Sequence, residues 1–150
     1  MPQHSNMTRT LFWAIALFAM LGVATLQRGF AQDHDVCSLA TLNGRYVFDA
    51  TGWNVVNGSA VPKTVVEFLT FRSDGTLTSI ATAVVGGNII ANDAPGSGTY
   101  TVNSDCTGTL TFNGSGLTFD LFIAPSGRQF HMIETITGQM LAGPAQRVGS

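Results

Sequence analysis

The sequence predicts an all-β fold, an antiparallel up-and-down β-barrel of about eight strands, and three observations carry that prediction. Short stretches in which apolar and polar residues alternate recur along residues 45–150, and a period of two marks a strand with one buried face. Turn chemistry separates these stretches at short intervals, as at Asn57-Gly58, Asp74-Gly75, Gly86-Gly87, Asn113-Gly114 and Pro125-Ser126-Gly127. Glycine and asparagine adopt positive φ at low cost there, and proline presets the bend. No window carries an amphipathic helical pattern longer than a couple of turns. Strands joined in sequence order by short turns form a meander, and closing it into a barrel removes the exposed edges. A β-sandwich is the alternative architecture.

Taken in order, Arg45 to Trp53 alternates with Tyr46, Phe48 and Ala50 on one side, and Asn57-Gly58-Ser59 turns the chain. Thr64 to Ser73 follows and ends at Asp74-Gly75, from which Leu77 to Val85 returns. Ile89 to Ala91 reads as a short strand, and Asn92-Asp93-Ala94-Pro95-Gly96-Ser97 as the longest loop. Gly98 to Phe112 is a hairpin about Asn103-Ser104-Asp105, with Cys106 beside the turn. Leu117 to Ala124, Gln129 to Ile136 and Gln139 to Val148 close the series. Central strands are apolar on both faces, with Val66 and Phe68 opposite Val65, Leu69 and Phe71. The second face needs cover, supplied either by another copy of the chain in a homo-oligomer or by Val36 to Leu42, tied down through Cys37.

Residues 1–31 have the three parts of a secretory signal peptide: Arg9, an apolar run from Leu11 to Leu26, and Gly29-Phe30-Ala31. The run is shorter than the roughly 20 residues that span a bilayer, so cleavage after Ala31 is expected rather than retention as an anchor. Removing 31 of the 150 residues leaves 119, enough for one domain. It divides into an N-terminal segment, 32–44, and a barrel, 45–150. Because Arg9 and Arg28 leave with the leader, five basic residues remain against nine acidic ones, a formal charge of −4. That balance excludes nucleic acid, whose backbone demands clustered lysine and arginine, and Lys63 is the sole lysine. Cys37 and Cys106 are expected to form a disulfide in an oxidising, secreted or periplasmic setting. Without Cys-x-x-Cys spacing they make neither a redox pair nor, unaided, a zinc site.

No concentrated set of catalytic residues is present, and the nucleophile elbow, P-loop, His-Glu-x-x-His and acidic calcium-loop motifs are absent. His131, inside a strand, is a candidate acid or base if Asp49, Glu67, Asp120 or Glu134 reaches it; a strand histidine satisfied by neighbours or solvent is the simpler reading. Glu67 shares its face with Val65 and Leu69, so burial would raise its pKa and make it a candidate acid in the lumen. Asp120, between Phe119 and Leu121, invites the same reading. The many aromatic residues either fill the core or line a pocket, and for a ligand Trp53, Tyr100 and Glu67 are the polar-tipped lumen candidates. Cleavage after Ala31 would expose Gln32-Asp33-His34, whose amine and His34 suit copper(II) or nickel(II), unless Gln32 cyclises. Asn57-Gly58-Ser59 and Asn113-Gly114-Ser115 match the glycosylation acceptor pattern but already have a conformational reason as turns. No cofactor is indicated.

Leu42-Asn43-Gly44-Arg45-Tyr46-Val47-Phe48, Arg72-Ser73-Asp74-Gly75-Thr76-Leu77-Thr78, Gly98-Thr99-Tyr100-Thr101-Val102 with Asp105-Cys106-Thr107-Gly108-Thr109-Leu110, and Gly143-Pro144-Ala145-Gln146-Arg147 together resemble small exported bacterial proteins of uncharacterised function. The resemblance covers most of residues 42–147 and implies a calycin-like or allene-oxide-cyclase-like barrel. Its motifs are turns and strand starts, and no catalytic residue is carried over from a lipid-epoxide cyclase. The sequence therefore points to a secreted barrel that binds a small apolar ligand or serves a structural role outside the cell, without catalysis. A cyclase or isomerase using Glu67 and His131 is one rival; a protein-interaction module is another.

Overall fold

The computed structural model describes residues 36–149. The proposed leader, 1–31, and the metal-binding candidate His34 lie outside the described residues. Eight antiparallel strands pair in sequence order and the first pairs with the last: β1 (Gly44–Val56), β2 (Ser59–Phe71), β3 (Thr76–Val85), β4 (Asn88–Val102), β5 (Thr107–Phe112), β6 (Thr118–Ile123), β7 (Gln129–Glu134) and β8 (Gln139–Arg147). The barrel is closed, so the up-and-down prediction holds and the sandwich does not form.

Inward and outward residues alternate as the period of two requires. In β2, Lys63, Val65, Glu67, Leu69 and Phe71 are buried while Thr64, Val66 and Phe68 face out. The β1–β2 turn is two residues long, with Asn57 at φ 51° and Gly58 at φ 77° between paired Val56 and Ser59. These are the positive φ values of the turn whose twist suits a hairpin. Closure of β8 on β1 is close enough that a Cβ at Gly143 would collide with the Asp49 carbonyl, so only glycine fits that seam.

Residues 92–97, predicted as a loop, are instead the middle of the fifteen-residue β4. The sequence misleads because β4 carries extra residues relative to β3. Ala81 pairs with Ala94 but Ala83 with Ala91, and Val84 then pairs with Ile89. Each step is a β-bulge, which breaks the alternation that advertises a strand. Asp93 sits at φ 47° and its backbone N–H donates to Thr82 Oγ1 at 3.2 Å. Across the bulge the inward parity switches from Ala91 to Ala94 and Gly96.

One end of the barrel is plugged. A short helix, α1 (Leu39–Leu42), drives Leu42 into the core, and Cys37 before it is joined to Cys106 in the β4–β5 turn. Arg147, at the end of β8, gathers this end together. Its Nη2 donates to Thr41 O at 3.0 Å and to Tyr46 Oη at 2.6 Å, its Nε donates to Gly127 O at 3.1 Å, and its Nη1 donates to Asn43 O. Beneath this cap Tyr46, Phe71, Tyr100 and Phe130 pack edge-to-face with centroids 4.8–5.6 Å apart, a geometry that suits the ring quadrupoles. The N-terminal segment thus covers the end of the barrel and not the apolar outer face. On that face Val66, Phe68, Ile80 and Phe122 stay 40–55% exposed, and the Arg45 guanidinium lies 4.0 Å over the Phe68 ring.

Candidate functional site

The other half of the barrel is hollow, and the side-chain sizes say why. Towards the end bounded by the β1–β2, β3–β4, β5–β6 and β7–β8 turns, the inward positions of β3 and β4 carry Ser79, Ala81, Ala83, Ala91, Ala94 and Gly96. These are too small to fill the space that they share with the larger lining residues Phe48, Phe112, Phe119 and Leu141. The result is a cavity of about 450 Å³ that opens at this end. Its size falls in the range of small-molecule sites, and its walls are mainly apolar with a few convergent polar groups, as such sites are. Phe119 packs edge-on against Phe48 and Phe112, with centroids 6.4 and 6.0 Å away.

Two polar groupings break the apolar lining. Near the mouth, Lys63 Nζ donates to Glu134 Oε2 at 3.0 Å and Oε1 at 3.3 Å, and lies 3.2 Å from Gln139 Oε1. The pair is buried, at 6% and 0% side-chain exposure, and links β2 to β7 past β1 and β8. Asn54, on the inner face of β1, also lines the cavity, and its Oδ1 is buried without a hydrogen-bond partner among the described residues. Deeper, about 13 Å from Lys63 along the strand at 3.3 Å per residue, is Glu67, which accepts a hydrogen bond from Ser79. No cation pairs with Glu67 among the described residues. Phe48 of β1 and Ala81 of β3 flank it in register, and among the described residues the other buried charged side chains are Lys63 and Glu134.

Burial pushes the Glu67 carboxyl from an ordinary 4.5 up to about 7, with the Ser79 hydrogen bond pulling the other way. A carboxyl raised in the fold holds its proton where the unfolded chain has released it, so stability falls as pH climbs from about 4.5 to about 7 and is level above that. At about 1.4 kcal/mol per pH unit, ionising Glu67 costs the fold on the order of 3–4 kcal/mol. Glu67→Gln is therefore expected to match the native protein near pH 4 and to exceed its stability by about 3–4 kcal/mol near pH 8. Urea unfolding of both proteins across that range checks this, and parallel pH profiles would refute it.

The other sequence candidates are distributed elsewhere. Trp53 points outward, 47% exposed, between Pro62 and Met140 on the neighbouring strands. Tyr100 points inward but at the plugged end, its hydroxyl 2.7 Å from Arg72 O and 3.0 Å from Leu39 O. Burial raises its pKa to about 12. His131 faces solvent on β7 with its Nε2 3.2 Å from Gln129 Nε2, so the barrel wall separates it from Glu67. Asp49 and Asp120 also face outward, and Glu134 is held by Lys63. The sequence reading passed over Lys63, Ser79, Glu134 and Gln139 as lumen groups. Parity could have found two of them, since Lys63 shares the face of Val65 and Leu69, and Glu134 that of Phe130 and Met132.

No protein-family model matches the chain, and no curated protein matches it significantly. Solved structures do. A redesigned β-barrel, mFAP1, bound to DFHBI is 25% identical over 73% of this chain and 97% of its own, with a TM-score of 0.48. A second redesigned β-barrel is 23% identical over 74% and 95%, with a TM-score of 0.43. A de novo designed fluorescence-activating β-barrel is 10% identical over 73% and 96%, with a TM-score of 0.42. The likeness is to barrels, and the expected calycin-like or allene-oxide-cyclase-like family is not shown.

Proposed function

We propose that the protein is an exported, disulfide-stapled barrel that binds a small, largely apolar molecule in the open half of its lumen. The hollow carries this reading: an opening cavity of about 450 Å³ between a wall of small side chains and a wall of phenylalanines. A barrel built only as a scaffold gains stability by filling such space, since buried voids lose packing contacts. Export is supported by the signal-like residues 1–31 and by the Cys37–Cys106 disulfide, which persists in oxidising compartments. Binding is favoured over catalysis because the unpaired lumen carboxyl, Glu67, has no imidazole beside it among the described residues, and His131 lies across the wall.

The test is ligand-observed NMR with a library of small apolar molecules on the native protein and on Ala81→Phe, which puts a ring into the hollow. Binders of the native protein should lose roughly tenfold or more in affinity on the variant, because the ring takes the space they occupy. A library without binders, or binders indifferent to Ala81→Phe, would overturn the reading.

A further inference from the structure

The lumen's hydrogen-bonding groups do not balance among themselves, and the imbalance has a sign. Lys63 is the cation of the cavity, and its three contacts are to Glu134 Oε1, Glu134 Oε2 and Gln139 Oε1. An ammonium has three protons and no acceptor, so Lys63 is engaged. The acceptors are in surplus. Asn54 Oδ1 is buried and has no partner among the described residues, and Glu67, 7% exposed, accepts from the Ser79 hydroxyl and has no cation beside it among the described residues. Buried acceptors without donors are costly, and a bound molecule can supply what the walls lack.

We infer that the cavity selects a small apolar molecule bearing a donor cation, a primary ammonium, which Glu67 receives at mid-depth while the phenylalanine wall covers the apolar body. The inference rests on the ligand-binding reading above and specifies its ligand class. The charges agree with it: Lys63 and Glu134 cancel, so ionised Glu67 leaves the lumen with one net negative charge, which favours a cation and opposes a carboxylate. An apolar acid would find Lys63 already occupied and Glu67 and Glu134 repelling it.

Three probes with one apolar body separate the possibilities: naphthylmethylamine, methylnaphthalene and naphthoate, titrated calorimetrically into the native protein at about pH 8, above the Glu67 value of about 7. The amine should bind roughly tenfold or more tighter than methylnaphthalene, since hydrogen bonds to a charged group are the strong ones, and naphthoate should bind weakest. Glu67→Gln should abolish the preference for the amine while methylnaphthalene affinity stays. Equal binding of all three, or a preference for naphthoate, overturns the ammonium inference and leaves the cavity reading standing. No binding of any probe overturns both. The comparison on the native protein decides the matter even where the variant fails to fold.

Discussion

Lys63→Met is expected to destabilise the fold by about 3–5 kcal/mol, the range for removing one partner of a buried ion pair. The Glu134 side chain is fully buried and its carboxylate meets the Lys63 ammonium at 3.0 and 3.3 Å. Methionine keeps the length and apolar stem of the lysine, so the loss reports the stranded carboxylate and little of the packing. The double variant Lys63→Met, Glu134→Leu is expected to recover most of the loss, because an apolar pair of similar volume replaces a buried ion pair at little or no cost. Guanidinium unfolding of the two single variants, the double and the native protein gives the coupling directly. Single and double variants equally destabilised would mean that the pair contributes only volume at the mouth.

The double variant also separates the roles of the two polar groupings. Glu67 sits about four residues deeper on β2 than Lys63, roughly 13 Å at strand rise, and shares no hydrogen bond with the pair. Removing Lys63 and Glu134 together should therefore change entry to the cavity while leaving any preference for ammonium guests in place.

The parts of the molecule that alternation controls were legible from the sequence. The strands containing Tyr46, Phe71, Phe119 and Phe130 lie as their period of two demands, and Asp74-Gly75 turns the chain as its chemistry requires, with Thr76 donating to Asp74 Oδ1 through its N–H at 2.9 Å and its hydroxyl at 2.6 Å. What failed was local, at Asn92 to Ser97, because the extra residues of a bulge cancel the period on which the reading depends. The site was half legible. Parity puts Glu67 on the apolar face, and the same argument extends to Lys63. The hollow is a different kind of fact. It exists because the alanines and glycine of β3 and β4 share the lumen with the large residues of β1, β5 and β6, and strand pairing around a closed circle brings them into one cavity. Trp53 shows the limit from the other side: an aromatic with a polar tip looks like a ligand group, but its position one residue before Asn54 sets it outside the wall.

Cys106→Ser is expected to cost about 4 kcal/mol, since the Cys37–Cys106 bridge closes a loop of 69 residues and restrains the unfolded chain accordingly. The native side of the loss falls on the plugged end. Four residues of helix cannot stand alone, so α1 depends on its tether, on buried Leu42 and on the Arg147 hydrogen bonds to Thr41 O and Asn43 O. With the bridge gone, the latter two hold the segment and the plug opens more readily, from Val36 inward. The cavity opens at the opposite end and none of its lining comes from the tethered segment. The variant should therefore melt well below the native protein, native protein treated with reductant should melt with it, and the affinity for methylnaphthalene below the transition should be unchanged. A variant that keeps its melting temperature but loses the guest would place the disulfide in the binding site, against the separation of the two ends described above.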